Sequence, residues 1–141
     1  MLMLNLDNRI PTVLVVEDDI DMNSVLCDAL EQAGYLAVPA FTGQDALDRQ
    51  ETYIPDAVLL DLMLPDMDGV EICRRLNAHP HKSTIIIVSA RSDTASKLSS
   101  YVSGAHRYVT KPIDLDHLLR TLDAELRQRE FPRGQRRDES A

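Results

Sequence analysis

TVLVVEDD, residues 12–19, decides how the rest of the chain is read. Five uncharged residues, four of them β-branched, run without a break and then give way to three acids. A continuous apolar run of strand length is the pattern of a strand covered on both faces, as in a parallel sheet flanked by helices. Working outward, Met22, Val25, Leu26, Ala29 and Leu30 repeat at helical spacing and Gly34 closes the pattern. The alternation then recurs. Strands are predicted at 35–40, 56–60, 84–88 and 106–109, with Pro39 marking 35–40 as a sheet edge. Helices are predicted at 43–51, 68–78, 93–103 and 115–126; the fourth is weakly amphipathic through Ala95, Leu98, Tyr101 and Val102. Five strand–helix repeats predict an α/β sandwich, with a parallel sheet, right-handed crossovers and helices on both faces.

The chain has 141 residues, enough for one substantial core. Its formal charge is −8. From Arg127 onward five arginines face three acids, so the first 126 residues carry about −10 and argue against nucleic-acid binding by the body of the domain. No apolar run approaches the roughly 20 residues of a membrane span, and MLMLNLDNR lacks the features of an export signal, so a cytoplasmic location is expected. Cys27 and Cys73 fall on apolar helix faces and are read as buried or half-buried thiols. The domain is placed at 11–129. Residues 130–141, polar and without periodicity, are read as a disordered tail or the start of an interdomain linker.

In an open parallel sheet, ligands bind outside the carboxyl ends of the strands. Glu17 and Asp18 follow the first strand, Asp61 the third, Ser89 the fourth and Lys111 the fifth after a two-residue step. Three carboxylates at one edge repel each other unless cations sit among them. Lys111 supplies one charge, and hard oxygen donors with little else nearby suit Mg²⁺. A carboxylate with a divalent ion, an ammonium and a hydroxyl around it can accept a phosphoryl group, a transfer that needs positioning and charge neutralisation more than acid–base chemistry. Asp68, Asp93 and Asp114 are read as helix caps, and Asp19 and Asp21 as solvated caps. The four histidines are read as surface or structural residues.

LVVEDD (14–19), LLDLMLPDMDG (59–69), IIIVSAR (85–91) and YVTKP (108–112), in this order and each at a strand end, resemble the response-regulator receiver family. The resemblance runs from about residue 11 to residue 129. It implies the doubly wound, flavodoxin-like (βα)5 fold with strand order 2-1-3-4-5. It further implies Asp61 as phosphoacceptor, Glu17 and Asp18 as the acids at Mg²⁺, and Met63 as the residue whose backbone carbonyl completes the metal shell. Ser89 and Lys111 match the family's hydroxyl residue and lysine, Tyr108 its switch aromatic, and Lys111–Pro112 its cis peptide. The implied donor is a sensor histidine kinase or phosphotransfer protein. The implied output is partner docking or homodimerisation through the fourth helix, fifth strand and fifth helix, or control of an attached output domain. Met63 and Arg91, each two residues beyond a site residue, flank the path of an attacking water and are assigned to tuning dephosphorylation. Two rivals remain open: a Mg²⁺ phosphatase with an aspartyl nucleophile, disfavoured because Met63 stands where such enzymes carry a second acid, and a receiver-like scaffold that is never phosphorylated.

Overall fold

A computed structural model describes residues 9–130. The elements are β1 (Thr12–Val16), α1 (Ile20–Gln32), β2 (Leu36–Ala40), α2 (Gly43–Tyr53) and β3 (Ala57–Leu60), then α3 (Gly69–Ala78), β4 (Thr84–Ser89), α4 (Thr94–Val102), β5 (Arg107–Thr110) and α5 (Leu115–Glu130). All strand pairings are parallel and the order is β2-β1-β3-β4-β5, as in flavodoxin-like folds. Among the described residues no helix is long and apolar enough to cross a membrane. The tail expectation at 131–141 falls outside the described residues, and α5 itself reaches Glu130.

Strand side chains alternate between two cores. Leu14, Val16, Val58, Leu60, Ile85 and Ile87 pack with Ala46 of α2 and with Ile72, Cys73 and Leu76 of α3. Val13, Val15, Leu59, Ile86 and Val88 face the other way onto Leu26 and Leu30 of α1 and Leu118 and Leu122 of α5. With both faces covered, β1, β3 and β4 have no side free for polar residues. That is why 12–16 and 84–88 read as unbroken apolar runs. Cys27 is half-buried and Cys73 buried, both as free thiols. Burial pushes each thiol pKa up to about 11, with Glu31 and Asp28 adding to the effect at Cys27.

Two local expectations need correction. Val25, expected inward, is 49% exposed, and the inward position in that turn belongs to Asn23, at 1%. In α4, read from sequence as weakly amphipathic, Leu98, Tyr101 and Val102 are 62%, 45% and 79% exposed, and the residue α4 buries is Ser100. Cys73 Sγ of α3 contacts the Ser100 carbonyl at 3.8 Å, so α4 meets its neighbour through a small residue. Finally, β5 spans Arg107–Thr110, one residue later at both ends than expected, and its end at Thr110 places Lys111 directly after the strand. His106 lies outside it and its Nδ1 accepts from the Ile85 amide at 3.0 Å.

Asp56, read as the first residue of the third strand, instead precedes β3 and ties together the edge of the sheet opposite the acids. Its carboxylate takes a two-pronged grip from the Arg9 guanidinium (2.9 and 2.8 Å) and accepts from the Thr12 amide (2.8 Å). Its carbonyl accepts from Arg129, in the last turn of α5, and from the Thr84 amide. Burial alone would raise the Asp56 pKa, but Arg9 and the Thr12 N–H outweigh it and hold the carboxyl below its usual range. A carboxyl depressed in the folded state stabilises fully above its unfolded pKa, near 3.9, and loses that contribution as pH falls through the lower folded value. Asp56→Asn is therefore expected to cost about 2 kcal/mol at pH 7. In chemical denaturation the gap from wild type should narrow below about pH 4; a gap independent of pH would show that the ion pair contributes nothing.

Candidate functional site

The carboxyl ends of β1, β3, β4 and β5 gather the residues singled out from sequence. Glu17 leaves β1 with its amide bonded to the Ala40 carbonyl at the end of β2 (3.0 Å), and Asp61 leaves β3 with its amide on the Val16 carbonyl (3.0 Å). Lys111 follows β5 with its amide on the Ser89 carbonyl (2.9 Å), beside the cis Lys111–Pro112 peptide. Parallel pairing thus fixes each backbone before any side chain acts.

Lys111 Nζ donates to Glu17 Oε1 at 2.6 Å and to Asp61 Oδ2 at 3.0 Å, bridging residues 94 and 50 positions away in sequence. Asp61 Oδ1 accepts from the Met63 amide at 3.0 Å, and Glu17 Oε2 accepts from the Asp19 amide at 3.1 Å. Glu17 and Asp61 are buried, at 3% and 6% exposure, while Asp18 is exposed. One carboxylate oxygen from each of Glu17, Asp18 and Asp61 lies within 4.8 Å of the other two. Three such charges against one ammonium leave an excess of negative charge, and the donors are all hard oxygens. The donor set therefore fits Mg²⁺ in charge and chemistry.

Burial raises the Glu17 pKa and the nearby Asp61 charge adds to it, against lowering by Lys111 and the Asp19 N–H. Burial works the other way on Lys111, but hydrogen bonds to Glu17 and Asp61 outweigh it and raise its pKa. Lys111 is thus held as a cation between two carboxylates.

Ser89, the last residue of β4, is fully buried, and its Oγ accepts from the Arg91 amide at 3.3 Å. Tyr108 is half-buried; its hydroxyl donates to the Arg91 carbonyl at 2.7 Å, and Lys97 Nζ lies 5.7 Å from its ring centroid. Met63 and Arg91 are both exposed. Asp19, Asp68 and Asp93 accept from the amides of Met22, Val70 and Ser96 as helix caps, and Asp114 accepts from the His117 amide.

Two residues that sequence reasoning missed shape the site. Asp66 accepts from the Gly43 and Gln44 amides (2.7 and 3.0 Å), fastening the β3–α3 loop to the start of α2. Asn23 reaches from α1 to backbone carbonyls at the ends of β1 and β2. Neither had a sequence signal, because a polar residue in a loop or a helical turn looks solvated until its partners are known.

An open parallel sheet with acids and a lysine at its carboxyl edge defines the class of α/β proteins that hold charged ligands at strand ends. Comparison with known proteins narrows that class. Residues 13–123 match the family model described as the response regulator receiver domain. Response regulator ArlR of Staphylococcus aureus is 37% identical over 116 residues, covering 82% of this chain and 52% of the relative. A CheY-like receiver domain protein from Methanospirillum hungatei superposes with a TM-score of 0.84 at 26% identity, covering 86% of this chain and 98% of that one. Response regulator DrrB of Thermotoga maritima, an OmpR/PhoB homologue, gives 0.77 at 32%, covering 86% of this chain and 54% of that one. The chain belongs to the response-regulator receiver domain family of two-component signalling. It spans about half the length of the curated relatives it matches.

Proposed function

We propose that residues 11–129 form a phosphorylation-controlled switch that accepts a phosphoryl group onto Asp61 from the phosphohistidine of a sensor kinase or phosphotransfer protein. The observation that carries this reading is the Lys111 bridge to Glu17 and Asp61, beside a third carboxylate. An Asp61 oxygen attacks phosphorus, the P–N bond to the donor imidazole breaks, and an acyl phosphate forms. Glu17, Asp18, Asp61 and the Met63 carbonyl would hold Mg²⁺, which when bound would offset the charge of the incoming phosphoryl oxygens. Lys111 and the Ser89 hydroxyl hold those oxygens, fixed donors aimed at a charge that water would otherwise solvate.

In the switch reading, drawing Ser89 toward the phosphate vacates space for Tyr108, whose hydroxyl releases the Arg91 carbonyl as the ring turns inward. The outward Leu98, Tyr101 and Val102 of α4 support docking or homodimerisation through the α4–β5–α5 face: they are large apolar groups without cover. The preference of a partner for one of the two states then drives the output. A cytoplasmic setting, an output domain beyond α5 and a linker role for the residues after 129 belong to the same proposal.

The test is acetyl phosphate with and without Mg²⁺, read by intact mass and size exclusion. One phosphate added only with metal supports the proposal, whereas no adduct under any condition favours the unphosphorylated scaffold.

Met63 and Arg91 set the lifetime of the adduct. Both residues are exposed and lie two positions beyond Asp61 and Ser89, where their side chains would obstruct water on its way to phosphorus. The double variant Met63→Asn, Arg91→Glu is expected to lose its phosphate about tenfold faster, a barrier change of about 1.4 kcal/mol. An unchanged decay of the phosphorylated mass peak would remove these residues from the account.

A further inference from the structure

Asn23 is polar, yet at 1% exposure it is as buried as the leucines of its helix. Its Nδ2 lies within hydrogen-bonding distance of three backbone carbonyls: Val15 at 3.2 Å, Glu17 at 3.0 Å and Ala40 at 3.1 Å. Its Oδ1 accepts from Cys27 Sγ at 3.3 Å, one turn along, which orients the amide. Two N–H groups shared among three carbonyls make a junction where β1 and β2 both end.

The middle acceptor matters most. Glu17 is gripped on both sides of its α-carbon: its amide donates to the Ala40 carbonyl, and its own carbonyl accepts from Asn23. That double grip sets the direction in which the Glu17 carboxylate leaves the chain, toward Lys111, and the direction in which Asp18 follows. Asn23 itself makes no hydrogen bond to either acid side chain.

We infer that Asn23 is the positioning residue for the Glu17–Asp18 pair, and that its side-chain amide sets the affinity of the acidic site for Mg²⁺. The inference rests on the reading of that site as a metal site. Removing the donor frees the Glu17 carbonyl to seek water, the β1–α1 turn rotates, and the two carboxylates no longer converge with Asp61. Partners one step removed from a ligand typically contribute 10- to 100-fold in metal affinity. A purely structural role, satisfying buried carbonyls, predicts lower stability with unchanged metal binding.

The experiment measures Mg²⁺ binding by calorimetry on the full chain for wild type, Asn23→Leu, Asn23→Ser and the control Leu30→Val. The control thins the core on the same helix without touching the turn. In Asn23→Leu the dissociation constant is expected to rise about tenfold, and the Mg²⁺ concentration for half-maximal phosphorylation should rise in step. The rate at saturating Mg²⁺ stays within about threefold of wild type, because a positioning defect is repaired by mass action. Asn23→Ser, which keeps one donor and is the variant to rely on if Asn23→Leu does not fold, should fall between the two. Affinities equal to wild type in both Asn23 variants overturn the inference alone, as does an equal loss in Leu30→Val. A wild type that binds no Mg²⁺ overturns the reading of the site and this inference with it, a result plainly distinct from the others.

Discussion

Asp61→Asn is expected to abolish the phosphate adduct formed from acetyl phosphate and Mg²⁺, a loss of at least about 10³-fold in rate. The substitution is nearly isosteric and keeps an oxygen for the Met63 amide, so the loop after β3 has every reason to stay in place. What disappears, in the proposed chemistry, is the anionic oxygen that would attack phosphorus and one of the three charges that would recruit the metal. Two consequences can be read separately. Mass spectrometry should show no added phosphate at any Mg²⁺ concentration. Thermal melting should show that Mg²⁺ stabilises the variant less than wild type, since a ligand stabilises only in proportion to its binding. Without metal the variant should melt no lower than wild type, because Asp61 loses repulsion from Glu17 and Asp18 along with attraction to Lys111. An adduct of undiminished yield in Asp61→Asn would move the acceptor elsewhere and sink the proposed chemistry.

The largest effect on stability is expected at Gly69. A Cβ built there would lie 2.6 Å from the Leu62 carbonyl oxygen and 2.8 Å from its carbon, with Leu62 Cα closer still. These are backbone atoms, so no side chain can swing aside. The contact exists because the β3–α3 loop doubles back on itself: the Gly69 amide donates to the Leu62 carbonyl at 3.1 Å, and Met63 pairs with Asp68 across the turn. Gly69→Ala must push the first turn of α3 away from the segment that carries Asp61 and Met63. A cost of about 3 kcal/mol is expected, at the upper end for overpacking, with melting lowered on the order of 10 °C. Gly34→Ala provides the contrast. Gly34 has φ +99° but nothing within 4 Å of an added Cβ, so only backbone strain of about 1 kcal/mol is at stake. Phosphorylation, measured well below both melting points, should slow in Gly69→Ala and not in Gly34→Ala. Equal stability losses in the two variants would show that the close approach at Leu62 carries no particular weight.

How much of this was legible from the residues themselves depends on the range of the interactions involved. Strands covered on both faces must be apolar throughout, so TVLVV and TIIIV declared their burial and the alternation with helices declared a parallel sheet. Acids and a lysine placed just after strands declared the edge where chemistry would gather. Periodicity says which residues share a face, but not whether a neighbour covers it. The stripe on α1 therefore points to Val25 as a core residue, while the folded chain turns Asn23 inward, and in α4 it buries Ser100.

The residues alone determined the class of fold and the group of side chains at its carboxyl edge, because both follow from local pattern and from the fixed geometry of strands in a sheet. Only the tertiary structure decided that Lys111 spans Glu17 and Asp61, that Asn23 donates to the Glu17 carbonyl, and that Asp56 joins Arg9 to the last turn of α5. Each of these contacts closes over strand order and helix packing, with partners up to 94 positions apart. A polar side chain acquires its role there only when distant backbone arrives within 3 Å or so of it.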